Sequence, residues 1–587
     1  MRRLPSLLVV LISFVSYFAA TELTATTARA AEAGKAAPAA DAASMPTEAG
    51  LAPIDWVIIV VYGTSTIVLG WYFSRRQAST KEYFVGSGHM NPILIGVSLF
   101  ATLLSTISYL SMPGESLGKG PVYLTTMLAL PAVYFTVGYW LLPVYMKQRV
   151  TSAYELLEVR LGVGVRLLGA TMFIALRLVW MSLLVYLTAK AMVIMIGIDD
   201  TWIPVITLVT GLIAVIYTSL GGLRAVVITD FIQTCLLYGG ALLVLALITI
   251  DLGGFSWFPT KWSDNWDRQP ILPDTIKTRV TVIGSMLTYL IWYVCTAGGD
   301  QTSVQRFMAT KDAQAARRAY LTQLIVSVIV GTTLGLVGFA LLGYYQAHPE
   351  LLPADLHLKD DADKVFPTFI AYQLPVGVSG LVVSAMFAAA MSSIDSGVNS
   401  ITAVVMTDFL DRFGYHPKTE KGHVRAAQAL AFGIGAVVVV GSAFMEHVPG
   451  NITGVTQKTT NLLTTPIFCL FFFALFVPFA RPVGVFVGAI CGTATASLIA
   501  FSGPLVVLLN RWWDIDPATF NTTIERKVDE VTGAVTLTAE DPISFQAIAP
   551  AAVLVNILSG TLVSWCLSKS GHTKADDSSR GGPGAGT

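Results

Sequence analysis

Long apolar runs alternate with short polar ones along almost the whole chain. Thirteen runs approach the ~20 residues that carry an α-helix across a bilayer. They cover residues 54–73, 91–112, 121–146, 167–196, 203–221, 225–250, 281–299, 319–344, 377–406, 426–447, 453–478, 482–502 and 546–567. This pattern predicts an all-α integral membrane protein of about 13 transmembrane helices. Ahead of the first run, MRRLP and the apolar SLLVVLISFVSYFAA lead to the small-x-small site Ala28-Arg29-Ala30. Residues 1–30 read as a signal peptide, and the Ala-, Pro- and Gly-rich 31–53 as a disordered extracytoplasmic linker.

The polar loops give an orientation. Lys81, Lys147, Arg160, Arg224, Lys311, Arg425 and Lys569 fall in every second loop, while the opposite loops are longer and carry acids and tryptophans, as in DLGGFSWFPTKWSDNWDRQP. Basic loops stay on the cytoplasmic side. The expected placement is therefore a multi-pass protein of the plasma (inner) membrane, amino end extracytoplasmic and carboxyl end cytoplasmic.

Composition agrees: 54% of residues are hydrophobic, only 13% are charged, and mean hydropathy is +0.66. That places the chain outside the soluble range. A formal net charge of zero gives no reason to expect nucleic acid as a partner. The 5 cysteines lie inside apolar runs without metal-site spacing, and the 7 histidines sit in loops or at span ends. Neither set suggests a zinc site or an imidazole relay within the membrane.

The polar residues inside the spans carry the candidate chemistry. In SGLVVSAMFAAAMSSIDSGVNSITAVVM, helical spacing puts Ala389, Ser392, Ser393 and Ser396 on one face, with Asp395 and Asn399 beside it. Small residues and serines also let helices pack closely. A carboxylate at membrane depth, however, marks an ion or substrate path by default, and a row of oxygens suits a hard cation. The second span holds Ser98, Thr102, Ser105, Thr106 and Ser108 ahead of Pro113-Gly114, so it breaks easily and frees carbonyls for the same ion. The seventh ends in Gly298-Gly299-Asp300, where Asp300 either caps a helix or binds. Two interrupted helices five spans apart point to an inverted-repeat transporter. Asp230, in the sixth span, would bracket a cation with Asp395 or pair with Arg177, which is otherwise a receptor for an anionic solute.

The stretches YFVGSGHMNPILIGVSLFATLLS, SLGGLRAVVITDFIQ, DQTSVQRFMATKD and AMFAAAMSSIDSGVNS together resemble the sodium:solute symporter family over roughly residues 55–480. The resemblance implies a LeuT-like fold. Its parts would be a leading helix and cytoplasmic loop (54–90), a first inverted five-helix repeat (91–251), an extracytoplasmic loop (252–280) and a second repeat (281–480). Additional carboxyl-terminal helices (481–567) and a cytoplasmic tail (568–587) follow. It also implies a first sodium site of Ala101, Leu104, Ala389, Ser392 and Ser393. A second would use Asp230, Ser392, Asp395 and Ser396, with Asp395 where the family pattern has serine.

The solute path implied by spans and resemblance is Ser105, Ser108, Met127, Arg177, Asp300 and Gln457. Ser108 and Met127 stand where sugar carriers of the family have Gln and Glu, which argues against a hexose. LLSTISYLSMPGE is similar to the monocarboxylate, vitamin and iodide branch. The expected function is Na⁺-coupled symport of a small organic solute of the monocarboxylate type, with no enzymatic activity and with the lipid bilayer as the other partner. A proton-coupled carrier using Asp395 and a solute sensor built on the same fold are the alternatives. An intramembrane aspartyl protease would need glycine where Ala297 stands.

Overall fold

The computed structural model describes residues 51–74, 80–86, 88–147, 150–354, 356–415, 417–445, 452–528 and 535–580. The expected signal peptide and nearly all of the linker lie outside the described residues. In lipid a backbone must satisfy its own hydrogen bonds, and each apolar run does so as a helix. The helices that matter here are α1 (Pro53–Ser74), α2 (Pro92–Leu103), α3 (Thr106–Gly118), α4 (Pro121–Lys147), α5 (Val163–Ile196), α6 (Ile203–Asp251) and α7 (Val282–Gly299). They continue as α8 (Gln301–Met308), α9 (Ala313–Ala347), α10 (Val378–Val404), α11 (Glu420–Ser442), α12 (Ile452–Phe476), α13 (Pro482–Ala500) and α14 (Ile548–Arg580).

Among the described residues, 11 helices are long and apolar enough to cross a membrane, and α2 with α3 forms a further span bent by 69°. The helical run Asp200–Asp251 is 52 residues long, far beyond one crossing. Gly222 divides it, with φ 61° and ψ 179° that only glycine adopts without strain. Spans five and six thus meet at a kink rather than a loop, and counting them separately restores all the apolar runs of the sequence.

Helix α10 is the axis of the molecule. Its span is 94% buried, against 22% for the span of α1. Ala385, Ala388, Ala389, Ala390 and Gly397 keep its surface low, so α1, α2, α5 and α6 all pack on it. Asp55 of α1 fixes where α10 starts. One carboxylate oxygen accepts from the backbone N–H of Gly377 (2.8 Å) and Gly380 (2.7 Å), the other from that of Ala52 (2.9 Å). These N–H groups of α10 have no helical acceptor, and the carboxylate also meets the positive end of the helix. Asp55→Ala is expected to cost about 2 kcal/mol, visible as a lower melting temperature in detergent. An unchanged melting temperature would show that the cap adds nothing.

The connection between α13 and α14 holds an antiparallel hairpin of β1 (Ile524–Val528) and β2 (Val535–Ala539), with Ile524 opposite Ala539. Asp541 closes it by accepting from the Gly503 N–H at 2.9 Å and pairing with Lys458 of α12. That partner accounts for Lys458, which needs neither water nor solute to neutralise it.

Candidate functional site

Leu104 and Ser105 are extended between α2 and α3 (ψ 117° and 171°), and the Ser105 side chain caps α3 by accepting from the Ser108 N–H at 3.4 Å. A helix that stops in this way leaves its last carbonyls without intrahelical partners. Facing them from α10, the Ser393 hydroxyl lies 3.4 Å from the Thr102 carbonyl oxygen and 3.5 Å from that of Leu104. Both contacts are long for hydrogen bonds, so these oxygens are only weakly committed to each other. Ala101 lies in the last turn of α2 and Ala389 one turn before Ser393, and all five residues of the first sodium set are buried. Carbonyl and hydroxyl oxygens are what a hard monovalent cation would take.

The other interrupted helix is sealed. Where α7 ends, the hydroxyl of Tyr145 donates to the carbonyl of Gly298, and that of Tyr154 to Gly299 at 3.1 Å. Asp300 caps α8 by accepting from the Thr302 N–H at 2.8 Å and forms an ion pair with Arg177, which also donates to the Thr302 hydroxyl at 2.6 Å. Arg177 therefore pairs with Asp300 and not with Asp230, and neither Arg177 nor Asp300 lines the cavity described below. Nearby, Arg166 bonds Asp408 (2.7 Å) and Glu158 (2.6 Å). The bond from Arg166 holds the Glu158 carboxyl below its ordinary range.

Asp230 has a partner that sequence reasoning missed. Its carboxylate accepts from the hydroxyls of Ser98 and Ser392 (the latter 2.5 Å) and pairs with Arg306 of α8 at 3.3 Å. The Arg306 guanidinium is fully buried and also donates to the Ser98 hydroxyl (2.8 Å), the Ser396 hydroxyl (2.5 Å) and the Thr302 carbonyl (3.1 Å). Asp230, Ser392 and Ser396 of the second sodium set thus gather around an arginine. Asp395 stands apart from them, accepting from the hydroxyl of Thr218 in α6. The clue to Arg306 was the buried charge itself: a carboxylate in a span requires a counter-charge, and DQTSVQRFMATKD is the segment that brings one.

A cavity of about 110 Å³ adjoins the α2–α3 break. Leu104 and Phe100 form its floor, and Ser108, Gln457, Thr456 and Thr460 offer polar groups. Its walls are aromatic: Trp180 of α5 and Tyr289, Trp292 and Tyr293 of α7. No acidic or basic side chain is among the lining residues. Two of the six expected path residues, Ser108 and Gln457, lie on it. Met127 packs on the cavity-lining Gly331, and Ser105 is buried as the cap of α3.

The family model for the sodium:solute symporters matches residues 83–492. The sodium/sialic acid symporter SiaT of Proteus mirabilis is 29% identical over 452 residues, which is 74% of this chain and 87% of that one. Human sodium-coupled monocarboxylate transporter 1 is 25% identical over 465 residues, covering 77% and 74%. A solved structure of a Na⁺-coupled sialic acid symporter, substrate-bound and outward-open, superposes with a TM-score of 0.70 at 26% identity. It covers 87% of this chain and 98% of its own. With more than half of the chain matched and the LeuT-type arrangement of helices in place, the protein belongs to the sodium:solute symporter family and is a Na⁺-coupled solute transporter of the membrane, not an enzyme.

Proposed function

We propose that the protein imports a small amphipathic monocarboxylate with Na⁺ across the plasma (inner) membrane, amino end extracytoplasmic and carboxyl end cytoplasmic. The observation that carries this reading is the shared wall. Leu104 contributes its carbonyl to the oxygen-lined break and also lines the cavity, so an ion at Ser393 and a solute beside Phe100 and Ser108 would each steady the same turn. Two ligands that order one element bind cooperatively, which is what coupling requires.

The carboxylate assignment rests on charge and size. With no basic side chain in the lining, the groups suited to an anion are neutral side-chain donors, the hydroxyls of Ser108 and Thr456 and the amide of Gln457. The aromatic walls suit an apolar body. Sialic acid and monocarboxylates, named for the relatives, are both carboxylic acids. A cavity of about 110 Å³ favours a short acid over a nine-carbon sugar acid. With Asp230 neutralised by Arg306, one Na⁺ and one monocarboxylate would cross without net charge. A tenfold Na⁺ gradient then contributes roughly 1.4 kcal/mol and the membrane potential nothing.

Uptake into proteoliposomes at fixed pH tests this. Short-chain monocarboxylates are expected to enter with Na⁺ and not with choline, and ahead of sugars and amino acids. Equal uptake in choline would remove Na⁺ coupling. Preference for a neutral solute would remove the carboxylate.

A further inference from the structure

The family match ends at residue 492, yet two residues beyond it, Phe545 and Gln546, line the cavity. They sit on a short helical turn, Phe545–Ala547, that leads into α14. This turn is fastened to the start of α7 rather than laid against it. The side-chain oxygen of Gln546 accepts from the Thr281 N–H at 3.1 Å, its amide donates to the Ser285 hydroxyl at 2.8 Å, and its backbone carbonyl accepts from the Thr288 hydroxyl at 2.9 Å. Ser544 adds bonds to the carbonyls of Arg279 and Ile276, both 2.9 Å. Gly284 makes room for this arrangement, since a Cβ there would come within 2.3 Å of the Gln546 side-chain oxygen.

The same turn reaches the broken helix. The Arg279 guanidinium lies 5.8 Å from the centre of the Phe545 ring and forms an ion pair with Glu115 near the end of α3. Phe545 is thus linked through Arg279 to the helix that borders the ion site, and through Gln546 to the helix that forms the aromatic wall. Every polar group of the Gln546 side chain is already used, so Gln546 holds the turn in place while Phe545 presents its ring to the cavity.

We infer that Phe545, positioned by Gln546, is the lip of the solute cavity and limits how long a solute the transporter accepts. This deepens the carboxylate reading above and takes its substrate class from it. A ring carried on a fastened turn and faced by the Arg279 guanidinium does not swing away for a longer chain, so each added methylene beyond the limit meets it.

Two measurements on reconstituted full-length protein test the lip. In the first, cysteine placed at Ser108 is labelled with a small maleimide and with a bulky one, against the background of the native cysteines. The small reagent is expected to react with or without Phe545, and the bulky one roughly tenfold faster or more once Phe545→Ala is added. In the second, KM is measured for straight-chain acids from acetate to octanoate. Phe545→Ala, Gln546→Ala and Gly284→Ala should all lower KM for long acids relative to short ones. The Na⁺-induced rise in melting temperature, which a merely structural defect would also reduce, should stay unchanged. Bulky labelling that ignores Phe545 overturns the proposal, as does a chain-length preference common to all three variants and the wild type. If the wild type carries no carboxylate, the solute reading falls and the labelling alone decides the lip.

Discussion

Alanine at Ser393 is expected to remove most of the Na⁺ response of the purified protein while leaving its melting temperature in choline close to that of the wild type. The two effects separate because of geometry. The Ser393 hydroxyl makes only contacts of 3.4 and 3.5 Å to the Thr102 and Leu104 carbonyls, so little folded stability depends on it. As a ligand of a cation it would count as a contact to a charge, about 1.5–3 kcal/mol, or roughly 10–100-fold in Na⁺ affinity. At a Na⁺ concentration 100 times the wild-type dissociation constant, binding stabilises by ~2.7 kcal/mol; a 100-fold weaker site leaves about 0.4 kcal/mol. Ser392→Ala should behave differently, because that hydroxyl also donates to buried Asp230 at 2.5 Å. Its loss lowers stability in choline too, by about 1–3 kcal/mol. Melting curves of the two single variants and the double variant, in Na⁺ and in choline, decide the matter. A Ser393→Ala protein with a full Na⁺ shift would place the ion elsewhere.

What could be read in advance follows a physical rule. Lipid admits few structures, so length and hydropathy were enough to place the spans. The serine face of α10 was legible for the same reason, since polar groups in an apolar run have few indifferent explanations. That the second span breaks was legible in its Ser and Thr ahead of Pro113-Gly114, but the break lies at Leu104–Ser105 and Pro113 is inside α3. Pairings between distant helices were not legible. Arg177 and Asp300 lie 123 positions apart, and residue type alone pointed to Asp230 as the partner of Arg177. Arg306 looked like one more basic residue of a cytoplasmic loop. It is buried only because α8, all of whose residues are buried, packs against α2 and α10, and no local pattern encodes that event. No local pattern around Asp55 shows that its main work is at the start of a different helix. The place of Phe545 and Gln546 at the cavity depends on where α14 docks.

The largest effect on stability should come from the pair at the centre of the bundle. Asp230 and Arg306 are both 0% exposed, and among the described residues the only charge each meets in an ion pair is that of the other. Removing one partner leaves an unpaired charge in a dry environment, which costs about 3–5 kcal/mol. Asp230→Asn and Arg306→Met are each expected to fall by that amount in choline. The double variant, which buries no charge, should recover most of the loss, because a neutral pair of similar volume is often no less stable than the ion pair it replaces. Sodium then distinguishes a purely structural pair from one that occupies an ion's place. In Arg306→Met the Asp230 carboxylate and the hydroxyls of Ser98, Ser392 and Ser396 lose their cation but keep their oxygens. Na⁺ should therefore raise the melting temperature of Arg306→Met more than that of the wild type, and should do nothing extra for the double variant. If both single variants melt with the wild type in choline, the Asp230–Arg306 pair does not hold the bundle together. Asp230 would then be free to bind a coupling ion directly, and the electroneutral one-sodium cycle would give way to a two-sodium cycle driven by the membrane potential.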